Sequence, residues 1–479
     1  MLNLIPYPRS VFMSGERTAI RPRVACPAAW EDACDTLRDY ASRIHGVAFR
    51  EDKTACITFT TDDGITPEGY VLEVSEGQAV VRASDILGAQ NAVSTLVQLM
   101  RPTGDSSVTL PLGRIEDAPE CSWRGIMIDL ARVWHPLPML YEYVDLCRFY
   151  KIKYLHLHFT DDQSYTLPSR AFPRLSTEGR HYTEAELVGL MAYAKHRGVE
   201  IIPEIDVPGH TVSFSQAYGD VFGTDGIICQ SEASMLGIEV LFRELCALFA
   251  DSQYIHVGGD EAAIAKWVEC PRCLDAYRAR GIDVDNMDKA ELSELMYATF
   301  VKRTCEAVLS CGKTPVVWEG FREEVNHLIP REAVIMSWEN FYQTTPQLRD
   351  AGFRLVNCSW APMYIVHPAA AWSPKEIFHW SVYSWTPVHP GSPYHGTTLT
   401  IEPTAQVEGG QLLAWGDHIT RVFPDIIEGV RGEQQKIEER TPALAENTWN
   451  RQKVSDYDGF SARCEQVAPL CGKLLNHKA

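Results

Sequence analysis

"RGIMIDLA", residues 124–131, is apolar almost throughout until Asp129. A strand with one wet face alternates polar and apolar residues, so a continuous apolar run implies burial on both faces, as in a parallel sheet. The same pattern recurs in "KYLHLHF" (153–159), "VEIIPEIDV" (199–207) and "YIHVGG" (254–259). Helix-length segments separate these runs: one around 137–150, one near 233–250, and "TEAELVGLMAYAKHRG" (183–198). The last opens on a Thr183/Glu186 capping box and closes on a glycine. "TPVVW" (314–318), "AVIMSW" (333–338), "FRLVNC" (353–358) and "QLLAW" (411–415) continue the series to eight strands. Eight strands in β/α alternation predict a (β/α)8 TIM barrel, an α/β fold.

Ahead of the barrel, residues 1–116 read as a small, non-catalytic α/β amino-terminal domain, with the catalytic barrel over 117–479. "TACITFTT" (54–61) alternates, and "YVLEVSEGQAVVRAS" (70–84) reads as two strands around a turn at Glu76–Gly77. Asp85 then caps a helix that places Ile86, Ala89, Val93, Leu96, Val97 and Met100 on one face. "EDAPECSW" (116–123), polar and proline-containing, reads as a linker.

A length of 479 residues with 45% hydrophobic content supports a full-sized core. The net charge, 44 − 63 = −19, argues against nucleic acid or an anionic membrane as partner. The amino terminus lacks the basic start, long apolar stretch and small-residue cleavage site of a secretory signal. No apolar run approaches the ~18–20 residues of a spanning helix. Fourteen cysteines without an export signal suggest reduced thiols and a cytoplasmic location. "CPRC" (270–273) is the only close CxxC pair; with no second pair at finger or ribbon spacing it reads as two loop thiols.

Barrel active sites gather at the carboxyl ends of the strands. Those ends carry Asp129 and Arg132, Asp161–Asp162, Glu204–Asp206 and His210, Asp260–Glu261, Trp318–Glu319, Trp338, and Trp415 with Asp417. Seven polar or tryptophan-bearing ends exceed what loop capping requires. Carboxylates supply acid and base, and tryptophans offer flat faces to a pyranose, which points to a glycosidase. Neighbouring strand residues point to opposite sides, so Asp260 and Glu261 must have unlike roles.

"HVGGDEA" (256–262) resembles the signature of glycoside hydrolase family 20, the β-N-acetylhexosaminidases. "RGIMIDLAR" (124–132), "HLHFTDDQS" (156–164), "VPGHT" (207–211), "VVWEG" (316–320) and "AWGD" (414–417) are similar to family segments in the same order. The amino-terminal unit, from "LIPYPRSV" (4–11) to "LGAQNAVSTLVQLM" (87–100), resembles the domain preceding the barrel in many members.

The resemblance implies retaining exo-hydrolysis of terminal β-linked GlcNAc or GalNAc, with the substrate's own acetamido oxygen attacking the anomeric carbon to give an oxazolinium ion. Glu261 would be the general acid/base and Asp260 the partner of the acetamido nitrogen, with their adjacency raising the pKa of Glu261. Tyr364 would donate to the acetamido oxygen, and Trp318, Trp338 and Trp415 would wall its pocket. Arg132 would clamp sugar hydroxyls, with Asp161 and His210 as the network behind the acid. His156 and His158 read as structural. The resemblance implies no cofactor, assigns no metal, and makes the partner a small-molecule glycan; oligomeric state is not legible.

Three departures stand out: Val133-Trp134-His135 follow the clamp arginine where the family shows histidine and an aromatic; Val366, followed by His367, stands where many members carry an aspartate or asparagine; and Asp417 replaces a glutamate. They leave preference at the O4/O6 edge open, including release of lacto-N-biose or of a 6-O-modified GlcNAc. Two other classes also fit a carboxylate ring. A metal-dependent barrel hydrolase would use Asp161, His210, Asp260 and Glu261 as ligands, but it would lack paired strand-end histidines and leave the tryptophans idle. A silent sugar-binding module would not need an intact Asp–Glu pair.

Overall fold

A computed structural model describes residues 1–52, 54–104, 106–366 and 370–475. Eight parallel strands close the barrel: β1 (Trp123–Asp129), β2 (Tyr154–His158), β3 (Glu200–Glu204), β4 (Tyr254–His256), β5 (Thr314–Trp318), β6 (Val334–Ser337), β7 (Arg354–Asn357) and β8 (Val407–Trp415). β8 pairs with β1 on one side and β7 on the other, so no edge is left open. Every residue of β1 and β2 is buried, as their unbroken apolar runs require.

The seam beside β8 is divided. β7 runs along β8 only as far as Gly410; a separate strand, Tyr364–Val366, then pairs with Leu413–Trp415. Tyr364 is thereby set by a ladder rather than by a loop.

Residues 10–117 form an eight-stranded mixed sheet with helices Glu31–His45 and Ile86–Leu99. Asp85 caps the second helix by accepting from Gly88 N–H at 2.7 Å. This helix is buried on nearly all sides, beyond the single apolar face its periodicity indicates. Its polar residues meet the barrel. Gln98 donates to the Ile5 and Phe149 carbonyls (2.8 and 3.2 Å), Gln90 to the His196 carbonyl (2.8 Å), and Ser94 to the Arg148 carbonyl (2.6 Å). A polar stripe can be interior when each group finds a partner.

"EDAPECSW" is only partly a linker. Asp117 ends the strand Val108–Asp117 and is buried, accepting from Tyr70 Oη (2.8 Å), Lys151 Nζ (2.9 Å) and Trp449 Nε1 (2.8 Å). The "CPRC" cysteines also leave the loop reading: Cys270 precedes the helix Pro271–Ala279 and Cys273 lies in its first turn. Among the described residues no helix is long and apolar enough to cross a membrane.

Candidate active site

All eight strands deliver side chains to the carboxyl end of the barrel, and two layers of polar groups result. The lower layer centres on Glu204, the last residue of β3, buried completely. Its carboxylate faces His156 Nε2 (3.0 Å), His158 Nδ1 (2.5 Å), His256 Nδ1 (3.1 Å) and Trp318 Nε1 (2.6 Å). Burial favours the neutral acid, but His256, His158 and His156 outweigh it and hold Glu204 well below the usual carboxylate range.

His158 continues the chain upward: its Nε2 lies 3.1 Å from Asp161 Oδ2. With a carboxylate on each ring nitrogen, both nitrogens donate and the ring is an imidazolium. Burial opposes that charge, and the Glu204 and Asp161 carboxylates raise the ring well above an ordinary histidine. Asp161 also meets Arg132 Nη2 (2.9 Å) and His210 Nδ1 (3.4 Å); His210 Nε2 lies 3.3 Å from Glu261 Oε2. An unbroken polar chain therefore runs from Trp318 through Glu204, His158, Asp161 and His210 to Glu261.

Above this layer opens a cavity of about 290 Å³, lined by Asp206, Asp260, Glu261, Trp338, Tyr364 and Trp415 among others. The "GG" before the carboxylate pair makes it possible. Gly258 and Gly259 take φ of +73° and +120°, and a Cβ on Gly258 would stand 2.0 Å from Asp206 Oδ1. The chain turns there and sinks Asp260 beside Asp206, while Glu261, itself in the left-handed region at φ +47°, reaches the mouth with 57% of its side chain exposed.

Asp260 and Asp206 are both buried, and Oδ1 of each has no hydrogen-bond partner; the same holds for Trp415 Nε1. Burial first, then repulsion from Asp206, pushes Asp260 well above the usual carboxylate range. Asp206 rises to about 7, from burial above all, with Glu204 and Asp161 adding to it. Glu261 moves the other way, lowered by its hydrogen bond with His210. Adjacency therefore does not make Glu261 the elevated member of the pair; depth decides, and Asp260 is the deeper group.

Aromatic rings form the far wall. Trp360 stacks on Tyr364 at 4.4 Å (16°), and Trp338 lies 6.2 Å from Tyr364 (17°). Arg132 sits 5.0 Å over the Trp415 ring and joins Asp129 (3.0 Å), Asp161 and, more loosely, Asp417 (3.4 Å).

The structure brings Arg132, Asp161, His210, Asp260, Glu261, Trp338, Tyr364, Trp415 and Asp417 into this one region. Trp318 departs from its expected place: it lies under the cavity, fully buried, donating to Glu204 and 6.0 Å from Trp415, so it supports the wall without forming it. Three residues absent from the expected site are Trp360, Asp206 and His158. Trp360 and Asp206 stand just past strand ends, where the barrel rule already pointed; the role of His158 depends on a bridge no sequence pattern displays. Val366 lines the cavity, while His367 lies outside the described residues.

Residues 121–452 match the profile "Glycosyl hydrolase family 20, catalytic domain", and residues 1–118 match "Glycosyl hydrolase family 20, domain 2". The beta-hexosaminidase subunit beta of Homo sapiens is 26% identical over 444 residues, 86% of this chain and 73% of that one. A beta-hexosaminidase of Akkermansia muciniphila is 29% identical over 333 residues, 63% of this chain and 65% of its own. Among solved structures, the GH20 exo beta-N-acetylglucosaminidase of Vibrio harveyi superposes with a TM-score of 0.83 at 22% identity, covering 98% of this chain and 77% of that one, a likeness of fold.

Proposed function

The chain belongs to glycosyl hydrolase family 20, glycoside hydrolases that remove terminal β-linked GlcNAc or GalNAc, and on that footing we propose that it works as a retaining exo-hydrolase through substrate-assisted catalysis. The observation that carries the reading is the buried, unpartnered Oδ1 of Asp260 facing an aromatic cage. An orphaned buried acceptor costs about 1–3 kcal/mol. An acetamido N–H relieves that cost, and the methyl group suits the walls made by Trp338, Trp360 and Trp415.

In this scheme Tyr364 donates to the acetamido oxygen and Asp260 accepts from its nitrogen, aligning the oxygen beneath the anomeric carbon. The new bond from that oxygen to the anomeric carbon forms as the glycosidic bond breaks, and Glu261 delivers its proton to the leaving oxygen. Positive charge spreads over the oxazolinium ring beside Asp260. Glu261, now a carboxylate, takes a proton from water, which attacks the same face and restores the starting configuration. A nucleophile carried by the substrate has the advantage of a reactant already in place.

Glu261 must hold a proton at the start, yet His210 keeps it ionised in the open site. His210 and Glu261 hold one proton between them, on the imidazole while water reaches the pair. A sugar over the mouth removes that water, and the neutral arrangement, carboxylic acid beside imidazole, becomes the better one.

Aryl glucosaminides with acetyl, fluoroacetyl, difluoroacetyl and trifluoroacetyl groups on nitrogen test the scheme. Each fluorine weakens the amide oxygen as nucleophile, so kcat/KM falls stepwise along the series. A flat series rules out attack by the substrate's own amide.

A further inference from the structure

Cys270 and Cys273, two loop thiols when read along the chain, gain a third partner in space. Cys229 Sγ lies 3.7 Å from Cys273 Sγ although the two residues are 44 positions apart, and the sulfurs of Cys229, Cys270 and Cys273 all lie within 4.8 Å of one another. We infer that these three thiols form a structural site for a thiophilic divalent cation, zinc by its chemistry, outside the lining of the sugar cavity.

Geometry favours a metal over a disulfide. Sulfurs bound at about 2.3 Å around a tetrahedral ion stand about 3.8 Å apart, which matches the 3.7 Å separation, whereas a disulfide needs about 2.05 Å and leaves the third thiol unused. The C-x2-C spacing is what lets one turn of chain supply two ligands. The Gln230 backbone N–H donates to Cys273 Sγ at 3.2 Å, the outer-shell bond that steadies a ligating thiolate. Arg272, between Cys270 and Cys273, anchors to the Val221 carbonyl (3.0 Å) and Ser231 Oγ (3.1 Å), adding positive charge to a site of three anionic sulfurs. Cys270 is partly exposed, so an ion held by the three thiolates would have its fourth position open to water.

The placement gives the site a purpose. Ile228, next to Cys229, donates its N–H to the Pro208 carbonyl (3.0 Å), two residues from His210, and accepts from Trp267 Nε1 (2.8 Å). A metal there ties the loop carrying His210 to the segment that follows Asp260 and Glu261. It is a positioning device and takes no part in proton transfer.

Elemental analysis of the full chain purified under reducing conditions tests this, with about one zinc per chain expected. Replacing zinc by cobalt should produce a near-ultraviolet thiolate-to-metal charge-transfer band in the wild type. Cys273→Ser should lose at least ~90% of the metal and the band, while Cys311→Ser, at an exposed cysteine outside the cluster, keeps both. Wild-type protein that neither retains zinc nor develops the cobalt band overturns the proposal. So does a Cys229–Cys273 disulfide in the unreduced protein by mass spectrometry. Both wild-type measurements stand even if Cys273→Ser fails to fold.

Discussion

Glu204 and Asp206 lie two residues apart at the end of β3, both buried, and their surroundings are opposite. Glu204 is enclosed by three histidines and a tryptophan N–H. Asp206 keeps an oxygen with no partner and faces Asp260, which has the same deficit. A buried carboxylate surrounded by donors is part of the scaffold. One left short of donors is a standing cost that a bound ligand removes. The boundary between barrel floor and working cavity passes between the last residue of β3 and the loop that follows it.

Substitutions on either side of that boundary should fail in different ways. The largest effect belongs to the floor. Glu204→Gln removes the charge that balances the buried His158 imidazolium, and loss of one member of such a pair costs about 3–5 kcal/mol. Urea unfolding should show that loss, and a variant as stable as the wild type would mean the floor is not a scaffold. Asp260→Asn should do the reverse: turnover falls by about 10²–10³ while the unfolding midpoint stays put or rises, since an ionisable group that burial disfavours has gone. Near-normal kcat in this variant would end the substrate-assisted assignment.

The third test uses pH. Burial raises Asp206 to about 7 from an ordinary 3.8. Between those values the folded protein binds more protons than the unfolded chain. The contribution is therefore complete below about pH 4 and is lost as pH climbs through about 7. Asp206→Asn should flatten that decline, holding its melting temperature about 2–4 °C closer to its pH 5 value at pH 8 than the wild type does. Parallel profiles for the two proteins would show that Asp206 does not titrate as a buried acid. The smallest effect is at Val366, an apolar residue in the cavity wall. Val366→Asp should change the kcat/KM ratio between the two C4 epimers, or against a 6-O-sulfated substrate, by about tenfold or less. An unchanged ratio would assign the O4/O6 edge to Asp417 alone.

The barrel was readable because parallel strands carry their burial on the surface of the sequence: eight apolar runs, each followed by polar or tryptophan residues. Asp260 and Glu261 were found with it, since barrel geometry places strand ends together, whereas Tyr364 rested on the family resemblance alone. What escaped depends on depth and on distant partners. The relative acidity of Asp260 and Glu261 follows from which side chain the Gly258–Gly259 turn sends downward, and the residue types do not encode that. His158 looks like any strand histidine until Glu204 and Asp161 are seen on either side of it. The amino-terminal strand Ser10–Ile20 has little alternation because it is a largely exposed edge with a register shift between Met13 and Arg17. Cys229 is too far along the chain from Cys270 for spacing to connect them.

The divided seam beside β8 bears on how the enzyme can be altered. The chain leaves β8's side after Val366, beside Trp415, and rejoins the barrel at Val407, beside Leu355. In between, His389 is held by Glu339 and joins Phe341, Tyr342 and Glu261 around a second hollow outside the acid. That excursion is tied into the core by Ile377, Phe378 and Trp385, and only its tip beyond the short Ser384–Trp385/Leu399–Thr400 ladder is mostly exposed. Exchanging residues 388–398 for a segment of another length would rewrite the surface beside the second hollow, while Tyr364 and Trp415 stay held by their own ladder.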